Sequence, residues 1–185
     1  MHRTTEELEA ALDDFRGAPS TLGTVDLVVA RPATDERVVL AEGALDLVEG
    51  LVGDNWGARG SRMTADGAAH PEMQLNVINA RVSRFVAVDP ERRVLAGDQL
   101  HVDLDLSEEN LPAGTRLALG TAVIEVTEQP HLGCAKFVER FGRDAMRFVN
   151  SPLGRQLRLR GLNAKVVVAG TVRPGDEIHR LPADA

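Results

Sequence analysis

Arg116-Leu117-Ala118-Leu119-Gly120-Thr121-Ala122-Val123-Ile124-Glu125-Val126-Thr127-Glu128 is the stretch whose reading decides the fold. Two short β-type runs, residues 116 to 119 and 121 to 128, are divided by Gly120 and pair as a hairpin. Toward the N-terminus, residues 99 to 106 have the same character and are set apart by Pro112 and Gly114. Farther back, residues 73 to 79, 37 to 42 and 24 to 31 read as strands. Toward the C-terminus, residues 164 to 172 form an apolar strand, and the turn Arg173-Pro174-Gly175-Asp176 leads into residues 177 to 181. Many short strands separated by turn residues predict a mainly β domain carrying several helices, α+β in class, with its sheet rolled toward a barrel so that no edge is left bare.

The helices announce themselves between these strands. Thr4 and Glu7 make a capping-box pattern, and Leu8, Ala11, Leu12 and Phe15 recur at helical spacing, which predicts a helix over residues 5 to 16. Leu45, Leu47, Val48 and Leu51 suggest a helical turn, and residues 80 to 88 a short helix. Residues 57 to 70 are small and polar and read as an exposed loop. After Cys134 a helical stretch is interrupted at Gly142, and Ser151-Pro152 opens a further helix that Gly161 ends. No internal repeat and no interdomain linker is visible.

Composition limits the function classes. The 185 residues fit one domain with a core of its own. Aromatic residues make up 3% with no tyrosine, so the core must come from Val, Leu, Ala and Ile, which suits strands. A net charge of −7 argues against general nucleic-acid binding. Of the 21 cationic residues only Lys136 and Lys165 are lysines, which leaves two candidates for Schiff-base chemistry and many guanidinium forks for anions. The N-terminal residues lack the apolar core of a signal peptide, and no run has the length of a membrane span. These features predict a cytoplasmic protein with no membrane partner, a compartment that also suits a lone free thiol.

That thiol is Cys134, the single cysteine, placed where β-rich sequence gives way to basic, helical sequence. Two readings stand side by side. A free cysteine is often a small buried hydrophobe. A cysteine beside cations at a helix start is instead held toward the reactive thiolate, and His131, Lys136 and Arg140 lie close by.

Several segments together resemble the MOSC domain, the module named for the C-terminal region of eukaryotic molybdenum cofactor sulfurases. They are Gly50-Leu51-Val52-Gly53-Asp54, Gln74-Leu75-Asn76-Val77-Ile78-Asn79, Glu109-Asn110-Leu111, Gly120 with the strand after it, Cys134 in its loop, and Arg173-Pro174-Gly175-Asp176. The resemblance covers residues 24 to 178 and implies a MOSC domain over residues 23–181 preceded by a helical extension, residues 1–22. It implies a β-barrel-like fold and a link to molybdenum cofactor (molybdopterin) or sulfur chemistry. Cys134 would then be a persulfide carrier or a metal ligand, with Asp54, Arg81 and Asn110 near the same pocket and Lys136 and Arg140 as its cationic neighbours. The pyridoxal phosphate domain of the sulfurases is absent from this sequence, so pyridoxal phosphate is not expected on this chain alone. A separate sulfur donor or electron-transfer protein would be needed. The implied activity is sulfur transfer or, with an electron donor, reduction of N-hydroxylated compounds. The alternative is a non-catalytic binding module in which Cys134 is structural.

His131 and Cys134 have a His-x-x-Cys spacing, but a zinc site needs about four ligands and no second pair exists, so His131 reads as a hydrogen-bonding loop residue. Arg143, Arg147, Arg155, Arg158 and Arg160 read mostly as a solvated face, with Arg140 exempted by its closeness to Cys134. Asp98 reads as a turn residue. Trp56 is either core filling or a pocket wall.

Overall fold

The computed structural model describes residues 2 to 182; Met1, the first residue of the expected extension, lies outside them. The strands are β1 (Leu22–Ala30), β2 (Val38–Leu40), β3 (Gly43–Asp46), β4 (Gly50–Leu51), β5 (Leu75–Asn79), β6 (Leu100–Asp103), β7 (Arg116–Leu119), β8 (Ala122–Val126), β9 (Leu162–Val168), β10 (Gly170–Val172) and β11 (Glu177–Arg180). The α-helices are α1 (Thr5–Ala10), α2 (Leu12–Arg16), α3 (Trp56–Arg59), α4 (Ala80–Ala87), α5 (Ala135–Asn150) and α6 (Pro152–Gln156).

Seven strands close a barrel in the order β1-β6-β5-β9-β8-β7-β11, with β11 returning to pair with β1. Closure satisfies the strand edges within the ring. The β7–β8 hairpin turns at Gly120 as the sequence predicts, with Leu119 opposite Ala122. Every pair in the ring is antiparallel except β5 and β6, which run parallel and are joined through α4. Strand β2 continues outward from β1, and β10, β3 and β4 form a small second sheet.

Alternation explains the two cores. On β8, Ala122, Ile124 and Val126 point inward, and Leu117, Leu119, Leu75, Val77, Leu100 and Val102 join them to fill the barrel. Strand β5 is buried at every position because its other face is also covered. There Ile78 packs with Val82 and Val86 of α4, with Phe137, Phe141 and Phe148 of α5, and with Leu8 and Phe15 of the N-terminal helices. Full burial of each large apolar side chain contributes roughly 1.5–3 kcal/mol, so this second layer anchors α5 to the barrel wall.

Several elements differ from the sequence reading. The helix that Ser151-Pro152 opens ends at Gln156, ahead of Gly161, and the loop expected over residues 57 to 70 begins inside α3. Residues 45 to 51 form the β3–β4 hairpin instead of a helical turn. The Asp46 carboxylate accepts the backbone N–H groups of Val48 at 2.7 Å and Glu49 at 3.0 Å, and Gly50 takes φ 74°. Leu45 and Leu51 are then paired and buried while Leu47 and Val48 are exposed. The N-terminal helix is two short helices meeting at Ala11, opened by the expected capping box. The final apolar run is split, because β9 belongs to the barrel and β10 crosses to the small sheet. Gly142 interrupts α5 as expected, with φ 90° and ψ 167°.

Candidate functional site

The loop from β8 to α5 carries Cys134 onto the lip of a cleft of about 320 Å³, outside the barrel. Cys134 is exposed and stands immediately before Ala135, the first residue of α5. Asn150, at the far end of the same interrupted helix, clamps the preceding peptide: its Oδ1 accepts the Gly133 N–H at 2.8 Å and its Nδ2 donates to the Gly133 carbonyl at 3.0 Å. The break at Gly142 lets the second half of α5 return toward the first. One helix thereby both begins at the cysteine and holds its loop.

Six cations line the cleft: Arg31, Arg37, Arg59, Lys136, Arg140 and Arg160. The one carboxylate among the lining residues is Asp35. They come from separate parts of the chain. Arg31 follows β1, Arg37 precedes β2, Arg59 ends α3, Lys136 and Arg140 lie one turn apart on α5, and Arg160 precedes β9.

Two of these guanidiniums are fixed from behind by buried acids. Arg31 donates from Nε and Nη2 to the two oxygens of Asp54 at 2.8 and 2.9 Å, and from Nη1 to Asn76 Oδ1 and the Gly97 carbonyl, each at 2.8 Å. Asp54 also accepts the backbone N–H groups of Arg31 and Trp56, and its side chain is 0% exposed. Asn76 is steadied in turn by Asn163 at 2.6 Å. Arg160 donates from Nη1 to both oxygens of Asp98 at 2.9 and 2.8 Å and from Nη2 to the Ala96 carbonyl at 2.9 Å. Its guanidinium stacks over Phe137 at 5.0 Å from the ring centre. Asp98 also holds His131, whose Nε2 lies 2.8 Å from Oδ1.

Burial raises the Asp98 carboxyl, but Arg160 and then His131 outweigh it and hold the group well below the usual carboxylate range. Burial pushes the His131 imidazole down and Arg160 adds to this, with Asp98 opposing. His131 is therefore neutral near pH 7, with Nε2–H donating to Asp98 and Nδ1 left as an acceptor. Burial, then the repulsion of Arg140 and Arg31, lowers Arg37; burial, then Arg31, lowers Arg59. The cations crowd one another, which is costly without an anion between them.

Unsatisfied groups occur here too. Arg37 Nε, Asn55 Oδ1 and Arg160 Nε are buried without a hydrogen-bond partner, and all three residues line the cleft. Buried polar atoms are almost always paired, so orphans concentrated in one cavity point to a ligand that supplies partners.

Among the residues singled out from sequence, Cys134, His131, Lys136 and Arg140 meet at this cleft. Asp54 stands behind it, holding Arg31. Arg81 lies elsewhere, paired with Asp103 at 2.7 Å and facing Asp14. Asn110 also lies elsewhere, donating to the Asp105 and Ser20 carbonyls. Asp98 is a buried ion-pair partner, where a turn role was expected. Trp56 is buried and does not line the cleft. Arg143, Arg147 and Arg155 are exposed, as a solvated face requires. Sequence reasoning missed Arg31, Arg37, Asn55 and Arg59; Arg160, which it grouped with a solvated face, is buried at the cleft, paired with Asp98. The available signal was Arg31 itself, a charge ending an apolar strand. No cluster of three or more His, Cys, Asp or Glu side chains able to hold a metal occurs among the described residues, and no helix among them is long and apolar enough to cross a membrane.

Comparison with known proteins agrees with the architecture. The YuaD protein from Bacillus subtilis superposes with a TM-score of 0.60 at 17% identity, over 87% of this chain and 97% of that one. YiiM from Escherichia coli gives 0.56 at 20% identity, over 86% and 70%. YiiM from Geobacillus stearothermophilus gives 0.54 at 14%, over 86% and 75%. At such identities the likeness is one of fold. No curated protein sequence matches the chain. The family model for the MOSC domain matches residues 68–179, a span that takes in β5 to β10, the cysteine loop and most of β11. With more than half of its length matched in this way, the chain belongs to the MOSC domain family.

Proposed function

We propose that the cleft binds a molybdenum cofactor by its anionic groups and that Cys134 serves as a ligand to the metal or as the carrier of a sulfane sulfur. The observation that carries the reading is the convergence of six cationic side chains, two of them locked by buried carboxylates, on a cleft whose lip bears the chain's single thiol. Association of the MOSC family with this cofactor agrees with it.

The residues present fit such a guest. Arg31 and Arg160 are oriented before any ligand arrives; Arg31 keeps one Nη2–H free and Arg160 keeps its Nε–H, which suits recognition of phosphate oxygens. The orphaned N–H groups of Arg37 and Arg160 ask for acceptors, and Asn55 Oδ1 asks for a donor, a combination that an anionic pterin supplies. When bound, the cofactor brings a redox-active metal already ligated by its own dithiolene sulfurs, so one protein thiolate suffices. Lys136 and Arg140 line the same cleft as Cys134 and offer an incoming anion two cationic donors. As a carrier, the Cys134 thiolate attacks the outer sulfur of a donor persulfide; the new S–S bond forms on Cys134, the donor's S–S bond breaks, and the donor leaves as thiolate.

Intact mass after incubation with a sulfane sulfur donor tests the carrier role: wild type gains about 32 Da and Cys134→Ser gains nothing. Retention of added cofactor on a gel-filtration column tests the binding role, with Arg31→Gln and Arg160→Gln expected to lose it. Wild type that takes up neither sulfur nor cofactor would refute the proposal.

A further inference from the structure

The cleft holds its cations in two different ways. Arg31 and Arg160 are tied to carboxylates that are 0% exposed, and such pairs stay in place because breaking them strands a buried charge. Lys136 and Arg140 are tied to Asp35, whose side chain is 60% exposed. Both share one atom, Asp35 Oδ1, with Lys136 Nζ at 2.9 Å and Arg140 Nη2 at 2.7 Å. An exposed pair of this kind contributes little and exchanges readily. Asp35 also sits at φ 63°, in the left-handed region, on the β1–β2 connection that carries Arg31 and Arg37. It reaches across to α5, where the two cations that follow Cys134 are found.

We propose that Asp35 is a tethered counter-anion and a specificity-determining residue: it occupies Lys136 and Arg140 until a dianion such as a phosphomonoester displaces it, and it turns monoanions away. A monocarboxylate offers these two cations the charge that Asp35 already supplies at high local concentration, so it gains nothing by exchange. A dianion offers more charge, and the cleft that presents these two cations also holds the unpartnered Nε of Arg160, a residue more than nine-tenths buried. The selection therefore follows from charge, with the fixed guanidiniums supplying orientation and Asp35 supplying the threshold. This inference rests on the reading of the cleft as an anion site and adds the class of anion it accepts.

The test is protection of Cys134 from iodoacetamide by inorganic phosphate and by acetate, each titrated at constant ionic strength and at a pH where phosphate is a dianion. In wild type, phosphate protects and acetate does not over the same range. In Asp35→Asn, acetate protects as well, and the advantage of phosphate over acetate shrinks roughly fivefold to tenfold. Asp35→Gly, which accepts the positive φ without strain, gives the same shift and serves if the Asn variant is poorly folded. An unchanged phosphate-to-acetate ratio in the variants, loss of phosphate protection in them, or a wild type that phosphate does not protect overturns the proposal. Failure to retain molybdenum cofactor with the ratio shift intact refutes the cofactor reading alone. Retention of cofactor with an unchanged ratio refutes the role of Asp35 alone.

Discussion

Asp98 and Arg160 meet through two short contacts, 2.9 and 2.8 Å, with neither side chain more than 7% exposed. The same carboxylate also holds His131, through Oδ1. One buried acid thus sets the position of a cleft guanidinium and the tautomer of a cleft imidazole, which is the kind of support a preorganised binding site needs.

Replacement of Asp98 by Ala is expected to be severe, because it leaves Arg160 charged, buried and short of acceptors. Removal of one member of a buried pair costs about 3–5 kcal/mol. Urea unfolding should show a loss of that size. A loss below about 1 kcal/mol would mean that water reaches Arg160 and that the pair is not structural.

Stability should fall on mild acidification through His101. The ring is fully buried beneath α4, with Nδ1 2.9 Å from Ser83 Oγ and Nε2 unpartnered. Burial pushes the imidazole down to about 4, against the pull of Asp98. The folded protein holds this histidine neutral, whereas the unfolded chain protonates it near pH 6.5. The stabilisation is therefore complete above about pH 6.5 and is lost as pH falls toward 4, by up to about 3 kcal/mol. His131, lowered in the same direction, adds to the slope. Urea midpoints between pH 7.5 and 4.5 should decline in wild type and decline less in His101→Leu.

Asn150→Ala should loosen the cysteine loop. Both hydrogen bonds to the Gly133 peptide vanish, and the two groups they satisfied are partly buried. A loss of about 1–3 kcal/mol is expected, together with weaker protection of Cys134 by phosphate. Unchanged protection would show that the loop holds its shape without the clamp.

The sequence and the structure agree where the information is local. Strand alternation, the Gly120 hairpin, the Gly142 break and the Ser151-Pro152 helix start all depend on neighbours in the chain, and all were readable. Residues 45 to 51 were misread because an Asp46 turn, set by two side-chain contacts, outweighs the spacing of four apolar residues. The site divides along the same line. Cys134, Lys136 and Arg140 are neighbours in sequence and were found together. Arg31, Arg37, Arg59 and Arg160 arrive from distant segments through barrel closure, which no single-chain pattern records. Asp98 looked like a turn residue because nothing beside it in sequence reveals the arginine 62 positions away. Asp54 was picked out, and its part is to hold Arg31 from behind the cleft.

The molybdenum content, per chain, of protein recovered from a host that makes the cofactor tests binding at the cleft most directly. A substantial fraction of wild-type chains should carry the metal, with a large drop in Arg160→Gln, which removes both the ion pair to Asp98 and the guanidinium at the cleft. Wild-type protein that is folded, has a free Cys134 and yet carries no more molybdenum than Arg160→Gln would contradict that binding.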